Sequence, residues 1–142
     1  MKPRKLGKST KKHIYGFNSI KSGKHFRVES GNEFGACYHL EYLSSVAAFE
    51  AQPLGYQYQE YRRKGKYTPD FKLTDQHNKD SYLEVKPADR ASTYKFQDTF
   101  ECKQKAAEAM GVPLTLLKDS DIKREPLLRN LRLCTNTELT LN

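Results

Sequence analysis

The chain has 142 residues, 37% hydrophobic and 30% charged, with a formal net charge of +8. That length suits a single domain with a modest core, and no apolar run approaches the roughly 20 residues that cross a bilayer. The basic N-terminus lacks the apolar stretch of a secretory signal, so neither membrane insertion nor export is expected.

Nine of the 25 Lys and Arg residues fall between Met1 and Val28, whereas all 17 acidic residues lie beyond Val28. The excess positive charge therefore sits in the first fifth of a chain whose remainder is nearly neutral. Residues 1–24 read as a basic, largely flexible arm, with a short ordered piece at His13-Ile14-Tyr15-Gly16-Phe17. An arm of this kind suits a polyanion, with nucleic acid foremost; the alternative is a solvated tail. Lys11, Lys12, Lys21, Lys24 and Arg27 are the candidate DNA contacts.

Ser30 followed three residues later by Glu33 forms a capping box, which predicts a helix over residues 30–44 with Phe34, Cys37, Tyr38, Leu40 and Tyr42 as its apolar residues. In that role the Glu33 carboxylate reaches back to the Ser30 amide. Residues 46–52 read as a strand ended by Pro53, and residues 54–61 as a second strand with a wetter face at Gln57, Gln59 and Tyr61. Arg62-Arg63-Lys64-Gly65-Lys66 reads as a basic turn, with Arg62 and Arg63 as further candidate DNA contacts.

Residues 67–73 and 81–86 are read as paired strands joined by a polar turn, with Leu83 and Val85 facing the core. A helix over 91–110 stopped by Gly111, a buried strand over 112–117, a turn at Asp119-Ser120-Asp121 and a helix over 126–133 complete the reading. These elements give an α/β fold: one domain over residues 25–134, a mixed central sheet flanked by helices, and a polar tail at 135–142. Cys37, Cys102 and Cys134 show neither zinc-ligand nor redox spacing. They are expected to be reduced thiols in a cytoplasmic protein.

Chemistry concentrates between Asp70 and Lys86. Side chains alternate along a strand, so Glu84 and Lys86 share a face, and Asp70 joins them if the strands pair. Two carboxylates and an ammonium in one patch are costly to bury unless a hard cation or a phosphate belongs there. Asp70, Glu84 and a backbone carbonyl near Val85 are suitable oxygen ligands for magnesium, and Lys86 is placed to orient water or stabilise charge on phosphate. A plain cross-strand Asp–Lys pair beside a solvent-facing glutamate is the structural alternative.

Several stretches together resemble the PD-(D/E)xK nucleases, and more narrowly the N-terminal endonuclease domain of TnsA transposase subunits. They are Glu29-Ser30-Gly31-Asn32-Glu33, Phe49 with Gln52-Pro53, Tyr67-Thr68-Pro69-Asp70-Phe71 and Leu83-Glu84-Val85-Lys86-Pro87. The resemblance covers roughly residues 10–125. It implies a restriction-endonuclease-like fold and a Mg²⁺-dependent endodeoxyribonuclease in which Mn²⁺ substitutes. Glu33, Asp70 and Glu84 would be the metal ligands, with Glu29 the second choice to Glu33, and Lys86 the catalytic lysine. TnsA proteins cut transposon ends together with transposase partner subunits, and usually carry a further winged-helix domain that 142 residues leave no room for. A stand-alone nuclease of a phage or mobile element, with a second copy of itself or transposase subunits as candidate partners, is the expectation that follows. A junction-resolving nuclease and a non-catalytic DNA-binding accessory protein of a transposition complex are the alternatives.

Overall fold

Gly23, in the left-handed region at φ 65°, turns the chain between two strands that pair antiparallel, β1 (Tyr15–Ser19) and β2 (Lys24–Val28). Glycine reaches this backbone region without steric penalty. In the computed structural model, which describes residues 14–123, this hairpin buries Phe17, Phe26 and Val28. The basic arm expected through residue 24 therefore does not extend that far. The alternating pattern Tyr15, Phe17, then Phe26, Val28 outweighs the surrounding lysines because burying two phenylalanines gains more than charge repulsion costs.

Ser30 caps the first helix, α1 (Gly31–Tyr42), by accepting from the Glu33 amide at 3.0 Å. The return leg differs from expectation: the Glu33 carboxylate accepts from the Glu29 amide at 3.3 Å rather than from Ser30. At the other end Lys21 donates its ammonium to the carbonyls of Leu40 (2.7 Å) and Leu43 (2.6 Å). This is the favoured place for a cation, since the last carbonyls of a helix lack backbone partners.

The central sheet has four strands: β3 (Val46–Ala51), then β6 (Phe71–Asp75), β7 (Asp80–Lys86) and β8 (Leu114–Lys118), side by side in that order. The β3–β6 and β6–β7 pairs are antiparallel, and β7–β8 is parallel. Parallel neighbours need a crossover, supplied by the short α2 (Ala88–Ala91) and the longer α3 (Tyr94–Ala109). The single helix expected over 91–110 is thus divided, because Thr93 caps α3 through its hydroxyl. After β8, the expected turn at Asp119 opens a short helix, α4 (Asp119–Lys123). The helix expected over 126–133 lies outside the described residues.

Two strands stand apart from this sheet. β4 (Tyr56–Glu60) and β5 (Arg63–Tyr67) form their own hairpin, so the basic segment read as a turn is mostly strand and only Tyr61 and Arg62 make the bend. Pro53 and Pro69 flank the hairpin and cannot donate to a ladder. They divide what the sequence presented as continuous sheet.

The sheet is covered on both sides. On one side α1 and the first hairpin pack Ala36, Cys37, Leu40, Phe17 and Phe26 against Phe49, Phe71, Leu83 and Val85. On the other, α3 and the second hairpin pack Phe100, Ala107, Tyr56 and Tyr67 against Tyr82 and Leu114. Burial drives the Cys37 thiol up to about 12, so it is inert at neutral pH; Cys102 is also a free thiol. Phe71 is fully buried where β6 joins the first cluster. Truncation to Phe71→Ala is expected to cost about 3–5 kcal/mol, read as a lower urea midpoint at unchanged slope.

Candidate active site

β7 carries the centre of the site because both its faces are buried. Leu83 and Val85 enter one core cluster and Tyr82 the other, and period two places Glu84 on the Tyr82 side, where it is only 6% exposed. A charge that deep requires partners. Its carboxylate has two: Oε1 accepts from the Tyr67 hydroxyl, and Oε2 lies 3.4 Å from the Lys86 ammonium. Lys86 in turn stands 5.5 Å above the centre of the Phe96 ring.

Asp70 is placed by its backbone and its side chain together. Gln52, in the left-handed region at φ 50°, donates its amide to the Asp70 carbonyl at 2.8 Å. Gln52-Pro53 therefore ends β3 and pins the residue before β6. The Asp70 carboxylate accepts from the Val85 amide at 2.7 Å, tying it to β7 one residue from Glu84 and one from Lys86. Burial pushes the Asp70 carboxyl up to about 7, with the Glu84 charge next in weight, while the Val85 amide pulls the other way. The Glu33 carboxyl, in the first turn of α1, is likewise raised by burial, and the charges of Glu29 and Glu84 add to this.

Glu33, Asp70, Glu84 and Lys86 thus come from three elements into one electrostatic neighbourhood. Val85 takes part through its amide. Among the described residues, however, no three His, Cys, Asp or Glu side chains already stand close enough to share an ion. The donors are of the right kind for a hard cation, all carboxylate oxygen, but the Glu84 oxygens are held by Tyr67 and Lys86.

The expected polyanion contacts are scattered by comparison. Lys21 is committed to the end of α1, and Lys24 faces Glu50 at 3.4 Å. Arg27 is exposed on β2, and Arg62 and Arg63 are exposed at the tip of the second hairpin. Lys11 and Lys12 lie outside the described residues.

Three contributors carried no role in the sequence reading. Tyr67 holds Glu84. Lys103 lies 4.2 Å over the Tyr67 ring; burial lowers its pKa, opposed by the nearby Glu84 charge. Asp119 accepts from the Ala88 amide at 2.8 Å, fixing the chain immediately after Lys86-Pro87. A helical signal for Lys103 was available, since Phe96, Thr99 and Lys103 recur at three- and four-residue spacing and share a face of α3.

A family model for the TnsA-like endonuclease N-terminal domain matches residues 43–119, more than half of the chain. The chain belongs to this family. The TnsA-like match includes Asp70, Glu84 and Lys86 and begins downstream of Glu33, so α1 and the first hairpin lie before it. No curated protein matches the sequence. Nuclease-related function is the coarse reading that membership supports. Among the described residues, no helix is long and apolar enough to cross a membrane.

One glycine sets the position of Tyr67 in this TnsA-like domain. A Cβ on Gly55 would come within 2.6 Å of the Tyr67 carbonyl oxygen and 2.8 Å of the Thr68 hydroxyl. Gly55→Ala must move backbone that carries Tyr67. We expect it to destabilise by about 1–3 kcal/mol and to lower activity more than an equally destabilising core substitution, in thermal melts and cleavage assays run side by side.

Proposed function

We propose that the domain is a magnesium-dependent endodeoxyribonuclease that hydrolyses phosphodiester bonds in DNA, with Asp70, Glu84 and Glu33 as cation ligands and Lys86 as the catalytic lysine. The observation that carries the reading is the tie of the Asp70 carboxylate to the Val85 amide at 2.7 Å, between Glu84 and Lys86 on β7, where burial pushes the carboxyl up to about 7. A buried carboxyl that also feels neighbouring acidic charge is costly to ionise, and perturbed groups of this kind cluster at functional sites. A hard divalent cation offsets that repulsion, and manganese takes the same oxygen ligands.

The cation would supply Lewis-acid polarisation of the phosphate. The chain's own groups do the rest. Val85 and Gln52 hold Asp70 in place from two sides. The Lys86 ammonium, paired with Glu84, is available to counter charge as it grows on the phosphate oxygens. Water forms the new bond to phosphorus, and the bond from phosphorus to one sugar oxygen breaks.

The test is cleavage of supercoiled plasmid by the full chain with magnesium, with manganese and with excess chelator. Nicked or linear product in either metal and none in chelator is the expected result. Intact plasmid under every condition would overturn the reading. It would favour a DNA-binding role without cleavage, the reading for which the engagement of Glu84 by Tyr67 and Lys86 speaks.

A further inference from the structure

A cavity of about 300 Å³ opens directly beside Lys86, between the α2–α3 connection and the exposed side of α3. Lys86, Arg90, Lys95 and Lys103 line it, together with Phe96 and Thr99, and no acidic residue does. Of these four cations Lys86 is paired with Glu84 at 3.4 Å, from behind the lining. The first turn of α3 also contains no acidic residue to offset its positive end.

Arg90 and Lys95 are exposed, whereas Lys86 and Lys103 are partly buried. The cavity therefore has two anchored cations at its inner end and two adjustable ones at its rim. The Phe96 ring is covered by Phe100, stacked at 5.2 Å, and by Lys86 at 5.5 Å, so the floor has little room for a stacked base. What this lining suits is a chain of phosphates. Thr99, also on the lining, donates its hydroxyl to Glu60 at 3.1 Å. Glu60 is the strand partner of Arg63, so Thr99 joins the lining to the second hairpin.

Resting on the nuclease reading above, we infer that this groove carries the sugar–phosphate backbone of the DNA strand flanking the cleaved phosphate. The groove binds without reading sequence: phosphate contacts fix register and orientation and carry no base information. It also moves the principal DNA contact surface from the N-terminal arm to the α2–α3 side of the domain.

The experiment measures binding of a fluorescent duplex of arbitrary sequence to the full chain across a salt series, with calcium in place of magnesium to avoid cleavage. Arg90→Ala and Lys95→Ala are compared with wild type and with Lys79→Ala, an exposed cation before the opposite end of β7. Each groove variant is expected to weaken binding several-fold and to reduce the slope of log affinity against log salt by about 0.9. Lys79→Ala should leave both unchanged. Arg90→Glu and Lys95→Glu, with unfolding midpoints recorded, should deepen the loss without unfolding the domain. If the groove variants bind as wild type does, the groove assignment fails and the nuclease reading stands. If wild type binds no DNA at any salt, both fail.

Discussion

Asp70→Asn is expected to abolish cleavage while making the metal-free protein more stable above pH 7. In an unfolded chain an aspartate ionises near pH 4, whereas in the fold Asp70 keeps its proton until about 7. Between those values the native state binds more protons than the unfolded one. Stability therefore falls as pH rises through the window, and the loss is complete above 7. A shift of this size corresponds to at most about 4 kcal/mol. Asparagine keeps an oxygen for the Val85 amide and carries no charge to repel Glu84. We expect it to recover on the order of 2–3 kcal/mol at pH 8, several degrees in midpoint for a domain of this size. Thermal melts in chelator at pH 4.5 and pH 8 check this: the two proteins should converge at the acid end and separate at the alkaline end. Parallel curves would remove the electrostatic basis. Magnesium should then raise the wild-type midpoint at pH 8 and leave Asp70→Asn nearly unmoved.

Lys86→Ala should produce the second large effect, a fall of about 10²–10⁴-fold in cleavage rate at saturating DNA. Its ammonium is held by Glu84 at 3.4 Å and by the face of Phe96, so the charge is fixed before substrate arrives and requires little reorganisation. Lys86→Arg keeps the charge but presents a planar fork where a compact ammonium stood, and should restore only part of the rate. Single-turnover cleavage alongside duplex binding separates the outcomes. A loss of rate that tracks loss of affinity would reduce Lys86 to one more backbone contact.

The positions that sequence reading found most readily were those where spacing has one physical meaning. Glu84 and Lys86 are two residues apart on a strand and share a face. Ser30 and Glu33 marked the start of α1 for the same reason. The expected partner strand over 67–73 pairs with that of Glu84 and Lys86 only from Phe71 on, since Tyr67 ends β5 in the other hairpin. What stayed hidden depends on contacts between distant segments. Nothing local shows that Glu84 faces an interior of tyrosines, because Tyr56, Tyr67 and Tyr82 come from three strands. The separate hairpin of β4 and β5 was obscured because its residues alternate like any strand, and only Pro53 and Pro69 at its borders record the break. Charge counting over the N-terminus misplaced Lys21 and Lys24, since composition registers a cation and not the helix end or glutamate that answers it.

The first hairpin and α1 lie upstream of the segment that defines family membership, yet they cover one whole face of the sheet. Without them Phe49, Phe71, Leu83 and Val85 would meet water, and an uncovered apolar sheet face favours self-association. The strands around Asp70, Glu84 and Lys86 are thus the recognisable part of this domain without being the autonomous part. The working unit begins at least as far back as Tyr15, and fusions or excisions designed on the recognisable segment alone would cut through the protein's own interior.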